Sequence, residues 1–349
     1  GETSPIFREL GEGREGVEMI IDSCGLPDCI TQGMEAFGWA EKRQRPPDAG
    51  RKRRGIGLAT HMQGSGIPLI DMAAATIKMN EDGSFNLLIG ATDIGTGSDT
   101  ILAQIAAEVL GVPLENMIVL SSDTDLTPFD VGAYASSTTY VSGMAVQKAA
   151  EEVREQIKGV AAAMLKTDTA GLDLENERVV APDGRSVTLA KVCERAMYGA
   201  DQFQIGTTQS FVPEVSPPPF LASFAEVEVD LDTGMVEVLD FVSAVDCGTA
   251  INPRLAEGQM EGAIANGLGY ALTEEMVFTA NGEVRLWDAV TGAPRAGHDL
   301  SESHASTFGF LSAERLLLGL RDDRLAVVDL TEGSLAPRDP FDLGLGDLA

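Results

Sequence analysis

Between Gly90 and Gly111 the chain reads GATDIGTGSDTILAQIAAEVLG, a glycine turn set between a strand and a helix. Its central residues, Gly95, Thr96 and Gly97, would bring backbone N–H groups to the start of that helix. Unpaired amides at a helix N-terminus, aided by the helix dipole, favour an anion such as phosphate, and glycine lets the ligand approach closely. A second turn, GAYASSTTYVSG from Gly132 to Gly143, offers Ala135, Ser136, Ser137 and Thr138 at another helix start. Two such turns could hold one phosphorylated ligand between them. The plainer reading of each is connection and capping chemistry, with Ser98 or Asp99 as the N-cap of the first helix.

No Lys or Arg lies between Gly90 and Ser142, so an anion here would be held by neutral donors. The nucleotide P-loop pattern is missing, and Gly55-Ile56-Gly57 lacks the third glycine of a dinucleotide fingerprint. With only His61, His298 and His304, the chain has neither a His-Glu-x-x-His helix nor a Cys/His zinc array. A Gly-x-Ser-x-Gly nucleophile turn is also missing. The four cysteines, Cys24, Cys29, Cys193 and Cys247, are too scattered for a disulfide framework. Cys24 and Cys29 have the C-x4-C spacing of an iron–sulfur site, but Gln32 stands where a third Cys would be needed. Cys247 reads as a small buried residue.

The elements that must position these turns follow from periodicity. Phe85 to Ile89 reads as a strand. Ile101, Leu102, Ile105, Ala106, Val109 and Leu110 then fall on one helical face that Gly111-Val112-Pro113 terminates. Val141, Ala145, Ala149, Val153, Ile157, Val160 and Met164 form the stripe of a second helix. Alternation around Asp232-Thr233-Gly234 predicts a hairpin with strands near 224–230 and 235–245. After Asn252-Pro253 comes a helix containing Gly258, Gly262, Gly267 and Gly269. Each glycine costs a helix about 1 kcal/mol against Ala, so this density predicts close backbone approach to a ligand or a neighbouring helix. Gln259, at the start of that helix, could donate and accept with one amide, toward a ligand or as a cap of its own helix.

Three blocks in order resemble the molybdenum-cofactor-binding subunit of the xanthine dehydrogenase family of molybdenum hydroxylases. They are GATDIGTGSDTILAQIAAEVLGV, GAYASSTTYVSGMAV and the long stretch from FAEVEVDLDTG through DCGTAINPRLAEGQMEGAIANGLGY. The likeness runs from about Arg54 to Phe278, with Ser23 to Arg43 fitting the preceding segment, so that residues from about 20 to 278 are covered. It implies an α+β molybdenum-cofactor-binding domain of the xanthine dehydrogenase type. It further implies hydroxylation of an aromatic N-heterocycle or aldehyde with oxygen from water. The implied cofactor is molybdenum-molybdopterin, as such or as a dinucleotide, with iron–sulfur and FAD groups on partner subunits. The implied cofactor-binding residues are Gly95, Thr96, Gly97, Ala135, Ser136, Ser137, Thr138 and Gln259, with Thr96 standing where many relatives carry glutamine. No residue is read as the catalytic base, and no side chain as a direct metal ligand.

The family's first cofactor half and its glutamate motif are not in this sequence. A partner chain supplying the missing half is therefore expected, and the chain by itself is expected to be inactive. The competing reading is a noncatalytic interaction or structural protein, or a nonfunctional fragment, that keeps the fold. A phosphosugar or nucleotide-binding domain using the same two turns is a third.

With 349 residues and 44% hydrophobic composition, the chain is long enough for two or three domains. A net charge of −29 argues against nucleic acid as a partner. No apolar run is long enough for a membrane span and no signal peptide is visible, so a cytoplasmic, membrane-free protein is expected. The expected division is 1–54 as an N-terminal segment and basic linker, 55–278 as the cofactor domain, and 279–349 as a short all-β tail. Lys42 to Arg54 (KRQRPPDAGRKRR) reads as solvated linker, or as a contact for an acidic partner. The tail resembles incomplete WD-repeat propeller blades. Asp288 and Asp329 stand 41 residues apart, as do Gly292 and Gly333, against a repeat of about 40–45.

Overall fold

A computed structural model describes residues 21–274 in full and, outside them, the backbone of β-strands only. In chain order the elements begin with β1 (Ile6–Arg8), β2 (Met19–Ile21), α1 (Leu26–Phe37), α2 (Trp39–Arg43), β3 (Lys52–Met62) and β4 (Ala73–Met79). Then come β5 (Phe85–Ile89), α3 (Ser98–Leu110), β6 (Met117–Ser121), α4 (Thr138–Leu165), β7 (Asp173–Glu175), β8 (Arg178–Val180) and β9 (Ser186–Thr188). They continue with α5 (Leu189–Tyr198), β10 (Gly206–Phe211), β11 (Phe220–Asp230), β12 (Val236–Asp246) and α6 (Pro253–Leu272). The last are β13 (Val284–Trp287), β14 (Pro294–His298), β15 (Ala305–Ser312), β16 (Arg315–Leu320) and β17 (Leu325–Asp329).

The chain divides into two compact units, residues 1–267 and 268–349. In the second, β13 pairs with β14, and β15, β16 and β17 form an antiparallel meander. Asp288, Gly292 and Gly333, on which the blade spacing rests, lie outside the described residues, as does the boundary expected at 278.

The main core of the first unit is a four-stranded sheet, β10-β4-β5-β6, in which β5 and β6 are the parallel pair. Joining them through α3 follows from geometry, since parallel strands need a crossover. The predicted faces of α3 and α4 supply the lid of this core. Leu102, Ala106 and Leu110 of α3 and Val141, Ala145, Ala149, Val153 and Ile157 of α4 are buried with Ile77, Met79, Phe85, Leu87 and Ile89 of the sheet. Alanines on α4 and β4 let helix and sheet approach closely, and a Cβ on Gly143 would stand 3.0 Å from Ile105 of α3. Gly111 ends α3 in the left-handed conformation (φ 64°), as the sequence requires of a C-cap glycine. A small antiparallel sheet, β7-β8-β9, and α5 close the far end.

A second sheet, β12-β11-β3, carries α1 on one face. Phe37 of α1, Ala222 and Phe224 of β11, and Cys29 form its buried cluster, with Trp39 packed edge-on to Phe224. The hairpin turns at Gly234 (φ 73°), where Gly234 N donates to Asp230 O at 2.7 Å.

The basic segment is exposed over most of its length, as a solvated linker would be, but its side chains are ion-paired, and β3 runs across the boundary expected at 54/55. Lys42 bonds Glu226 at 2.9 Å and also Asp240, Arg45 bonds Glu226, and Lys52 bonds Glu228 at 2.5 Å. Arg51 reaches Asp230 at 2.7 Å. The acidic strand β11 thus binds the basic segment along its length. Glu226 is buried, and burial alone would raise its carboxyl. Hydrogen bonds from Arg45 and Lys42 and their charges outweigh that and hold it below the ordinary glutamate value. Lys42 also lies 3.7 Å over the Phe37 ring, tying the charge cluster to the apolar one.

Cys247 corrects a second expectation, being exposed. β12 ends one residue earlier, and the Asp246 side chain instead accepts from Gly25 N at 2.9 Å and Gly248 N at 3.1 Å.

Candidate functional site

The first turn leaves the C-terminal end of β5 and enters α3. Gly95 (φ 98°) and Gly97 (φ 76°) both take left-handed conformations that favour glycine. Neither Ser98 nor Asp99 caps the helix: α3 begins at Ser98, with Gly97 at the N-cap position. The cap comes from Asp93. One of its oxygens accepts from Gly95 N at 2.9 Å and Gly97 N at 3.1 Å, and the other from Asp99 N at 3.4 Å. The Gly95 amide is the largest influence on this carboxyl. Partial burial opposes it, the Gly97, Asp99 and Thr96 amides add to it, and Asp93 stays below its ordinary value. An internal carboxylate therefore sits where the sequence suggested a phosphate. Beside it, Ser98 Oγ and one Asp99 oxygen are buried without a hydrogen-bond partner. The other Asp99 oxygen accepts from Ser121 Oγ at 3.0 Å.

The second turn differs. Ala135 (φ 49°) and Ser136 (φ 54°) are consecutive left-handed residues without glycine, a costly conformation that the surroundings must impose. Two carboxylates hold the residues that flank them. Asp130 accepts from Gly132 N at 2.9 Å and from the buried Ser142 Oγ at 2.6 Å. Asp71, fully buried, accepts from Ile67 N at 2.7 Å and from Tyr134 Oη, while Gly66 N donates to Ala135 O at 2.9 Å. The hydrogen bond to Asp71 raises the Tyr134 phenol above its ordinary value. Above this floor, α4 begins with no side-chain cap and no acidic residue in its first turn. The amides of Thr138, Thr139 and Tyr140 have no acceptor among the described residues, and the first bonded amide is Val141 N, to Ser137 O at 2.7 Å. Ser137 is buried, with its hydroxyl on Gly132 O at 3.3 Å, whereas Ser136 is exposed.

α6 meets the first turn. Asn252 caps it, accepting from Leu255 N at 3.2 Å, and donates to Gln104 of α3 at 3.2 Å. A Cβ on Gly97 would lie 2.6 Å from Leu255, so this glycine makes room for α6. Gln259, four residues beyond Leu255, shares its helix face. It sits in the second turn, is exposed, and its side chain has no hydrogen bond among the described residues, so it is not capping its own helix. No residue of α6 is buried, and space around Gly258, Gly262 and Gly267 is open. A groove of about 700 Å³ runs between Gln104 and Glu108 of α3, Thr139 and Tyr140 of α4, and Thr249–Ile251 before α6.

The structure therefore gathers α3, the start of α4 and the segment leading into α6. Asp93, Asp71, Asp130 and Asn252 were missed in the sequence. Asp93 could have been found, because an Asp two residues before a turn glycine is an Asx-turn signal. Asp71 gave none, lying 63 residues from Tyr134. The donors that remain suit a molybdopterin phosphate: open amides at α4, hydroxyls of Ser136, Thr138 and Thr139, and an unengaged amide side chain on α6.

The molybdopterin cofactor-binding domain family matches residues 32–288. The Escherichia coli K12 protein named "Probable hypoxanthine oxidase XdhD" is 37% identical over 299 residues, which is 85% of this chain and 31% of that protein. The xanthine dehydrogenase molybdenum-binding subunit of E. coli O157:H7 is 36% identical over 76% of this chain and 36% of its own length. Among solved structures, a Cu,Mo-CO dehydrogenase superposes with TM-score 0.66 at 25% identity, over 74% of this chain and 35% of that one. Quinoline 2-oxidoreductase from Pseudomonas putida 86 gives 0.63 at 28% identity, over 74% and 34%. The chain thus spans about a third of the length of these relatives. The WD-repeat resemblance of the tail finds no support among them, and the family match continues ten residues past 278. Among the described residues no helix is long and apolar enough to cross a membrane. The fold is that of the molybdenum-cofactor-binding domain of such enzymes, and the chain belongs to the molybdopterin cofactor-binding domain family.

Proposed function

We propose that this chain is the molybdopterin-binding part of a molybdenum hydroxylase acting on an aromatic N-heterocycle or aldehyde. In this reading it is inactive alone and works with further polypeptide that completes the cofactor domain and with iron–sulfur and flavin subunits. The observation that carries it is the uncapped start of α4, where the Thr138, Thr139 and Tyr140 amides lack acceptors in a chain of this family. Cradle residues in this proposal are Gly95, Thr96, Gly97, Ala135, Ser136, Ser137, Thr138 and Gln259. The α4 turn takes the phosphate with neutral donors and the helix dipole. The α3 turn, already closed by Asp93, gives shape and packing, and Gln259 offers a donor and an acceptor from α6. When bound, the cofactor supplies two-electron redox chemistry, and the polypeptide binds and orients it.

Elemental analysis of the purified chain tests this. The chain is expressed in a host that makes the cofactor, with and without the products of adjacent reading frames. Molybdenum near one per chain, only with those products, is the expected result. No molybdenum in either preparation would favour a noncatalytic interaction protein that keeps the fold.

A further inference from the structure

Asp71, in the segment between β3 and β4, is a fully buried carboxylate that is not among the proposed cradle residues. Its own loop is closed by a pair of bonds: Asp71 Oδ2 accepts from Ile67 N at 2.7 Å, and Asp71 N donates to Ile67 O at 3.0 Å. The loop is anchored further by Ser65 N on the buried Ser216 Oγ at 2.7 Å and by Leu69 N on Pro213 O at 2.8 Å. A carboxylate taken out of water must be compensated by hydrogen bonds, and an apolar side chain could fill the same space without that cost. The other oxygen, Oδ1, accepts from Tyr134 Oη, which belongs to the turn before α4.

Loop and turn run side by side. Ala74 N donates to Phe129 O at 2.8 Å, Val131 N to Met72 O at 3.2 Å, and Gly66 N to Ala135 O at 2.9 Å. Gly66 (φ 96°) lies against the start of α4, where a Cβ on it would stand 3.1 Å from Val141 and 3.5 Å from Ser137. The turn is therefore held on both sides of its strained pair. Gly132 N and Ser142 Oγ bond to Asp130, Tyr134 Oη to Asp71, and Ala135 O to Gly66 N. Left-handed backbone at Ala135 and Ser136 persists only where such surroundings over-determine it. Among these ties, the Asp71–Tyr134 bond reaches the turn from a separate segment and is charge-assisted, which makes it about twice as strong as a neutral one.

We propose that Asp71 is a positioning residue for the α4 turn: acting through Tyr134, it fixes Ala135 and Ser136 in their left-handed backbone and so sets the direction of the free Thr138, Thr139 and Tyr140 amides. Asp71 touches no ligand in this role. The consequence for cofactor binding rests on the function proposed for the α4 turn, whereas the hold on the turn does not.

Tyr134→Phe removes only the hydroxyl from a side chain that is 41% exposed, so the full chain should fold with its melting temperature lowered by a few degrees at most. Hydrogen exchange followed by mass spectrometry on the cofactor-free chain should show amides in 134–141 exchanging about tenfold faster, as for one lost charge-assisted bond, with β4 and β5 unaffected. Asp71→Asn keeps a neutral partner for Tyr134. In that background Tyr134→Phe should speed exchange only about threefold, because the bond it removes is about half as strong. Equal effects of Tyr134→Phe in the two backgrounds would mean that Tyr134 does not act through Asp71, and would overturn the inference. A folded Tyr134→Phe chain with parental exchange in 134–141 would overturn it as well. In the assembled protein from a cofactor-making host, Tyr134→Phe should retain about a tenth of the parental molybdenum. Parental metal content alongside faster exchange would refute the positioning role. A parent that holds no molybdenum would instead count against the proposed function, and exchange in the cofactor-free chain would still decide whether Asp71 holds the turn.

Discussion

The turns before α3 and α4 are alike in composition, and their amides meet different fates. At α3, Asp93 takes three backbone N–H groups at 2.9–3.4 Å, and the turn is further fixed by Leu255 against Gly97. At α4 the supporting carboxylates, Asp71 and Asp130, lie beneath the turn and bind Tyr134, Ile67, Gly132 and Ser142. At the start of α4 none of the Thr138, Thr139 and Tyr140 amides is taken, whereas at α3 Asp99 N is taken and Ser98 and Thr100 N have no acceptor among the described residues. A glycine-rich turn before a helix is therefore not by itself an anion site. What decides is whether a nearby carboxylate is close enough to fill it, as an aspartate four residues before Gly97 is.

Making α4 resemble α3 should have the largest effect. Thr139→Asp places a carboxylate in the first turn of α4, where it competes with a bound phosphate. Molybdenum retained by the assembled protein should fall at least about tenfold, while the helix gains about 0.3–1 kcal/mol from the dipole. Undiminished metal content in a well-folded variant would remove α4 from the site. Next comes Gly97→Val, which adds a branched side chain at φ 76° against Leu255. A loss of about 2–4 kcal/mol in a denaturant titration is expected from strain and overpacking, with loss of cofactor. Retained molybdenum would count strongly against the α3 turn as part of the cradle.

Asp93→Ala should cost about 1 kcal/mol, as for other lost caps. Its pH dependence gives a cleaner sign. Because the folded carboxyl lies below its ordinary value, its contribution is complete above the unfolded value, about 3.9, and disappears as pH falls through the folded value. The variant should therefore be less stable than the parent at neutral pH, with the difference closing in acid. A gap that persists at low pH would mean that packing, not the carboxylate, is at stake. The smallest effect belongs to Ser98→Ala, which deletes a buried hydroxyl without a partner. Stability should rise by up to about 1 kcal/mol, with metal content unchanged. A drop in metal content would show that the α3 turn contributes through that hydroxyl.

Much of this frame could be read from pattern. The strand at Phe85–Ile89, the glycine stop at Gly111, the α4 stripe and the hairpin about Gly234 all follow from local periodicity and turn chemistry, and all are present. What escaped was decided by distant partners. Glu226 falls on a strand read only from its alternation, and nothing local shows that Lys42 and Arg45 meet it and that it is buried. The basic run is exposed as expected, but its pairing with β11 depends on the same distant contacts. Cys247 was judged by its chemistry, and the end of β12 decided its exposure. At the site, the turns were legible but their occupancy was not, because a helix start looks the same whether or not an aspartate closes it.

α6 is fastened by its first turn, through Asn252 and Leu255, and buries none of its residues. Gln259 lies beyond the last of those fastenings. Its placement is then thermodynamically linked to whatever rests on the helix. In the proposed cradle, a polypeptide that settled there and fixed Gln259 toward the α3 turn would raise affinity for the cofactor by some factor, and the cofactor would raise affinity for that polypeptide by the same factor. In such a molecule, loading and assembly are one equilibrium viewed from two ends.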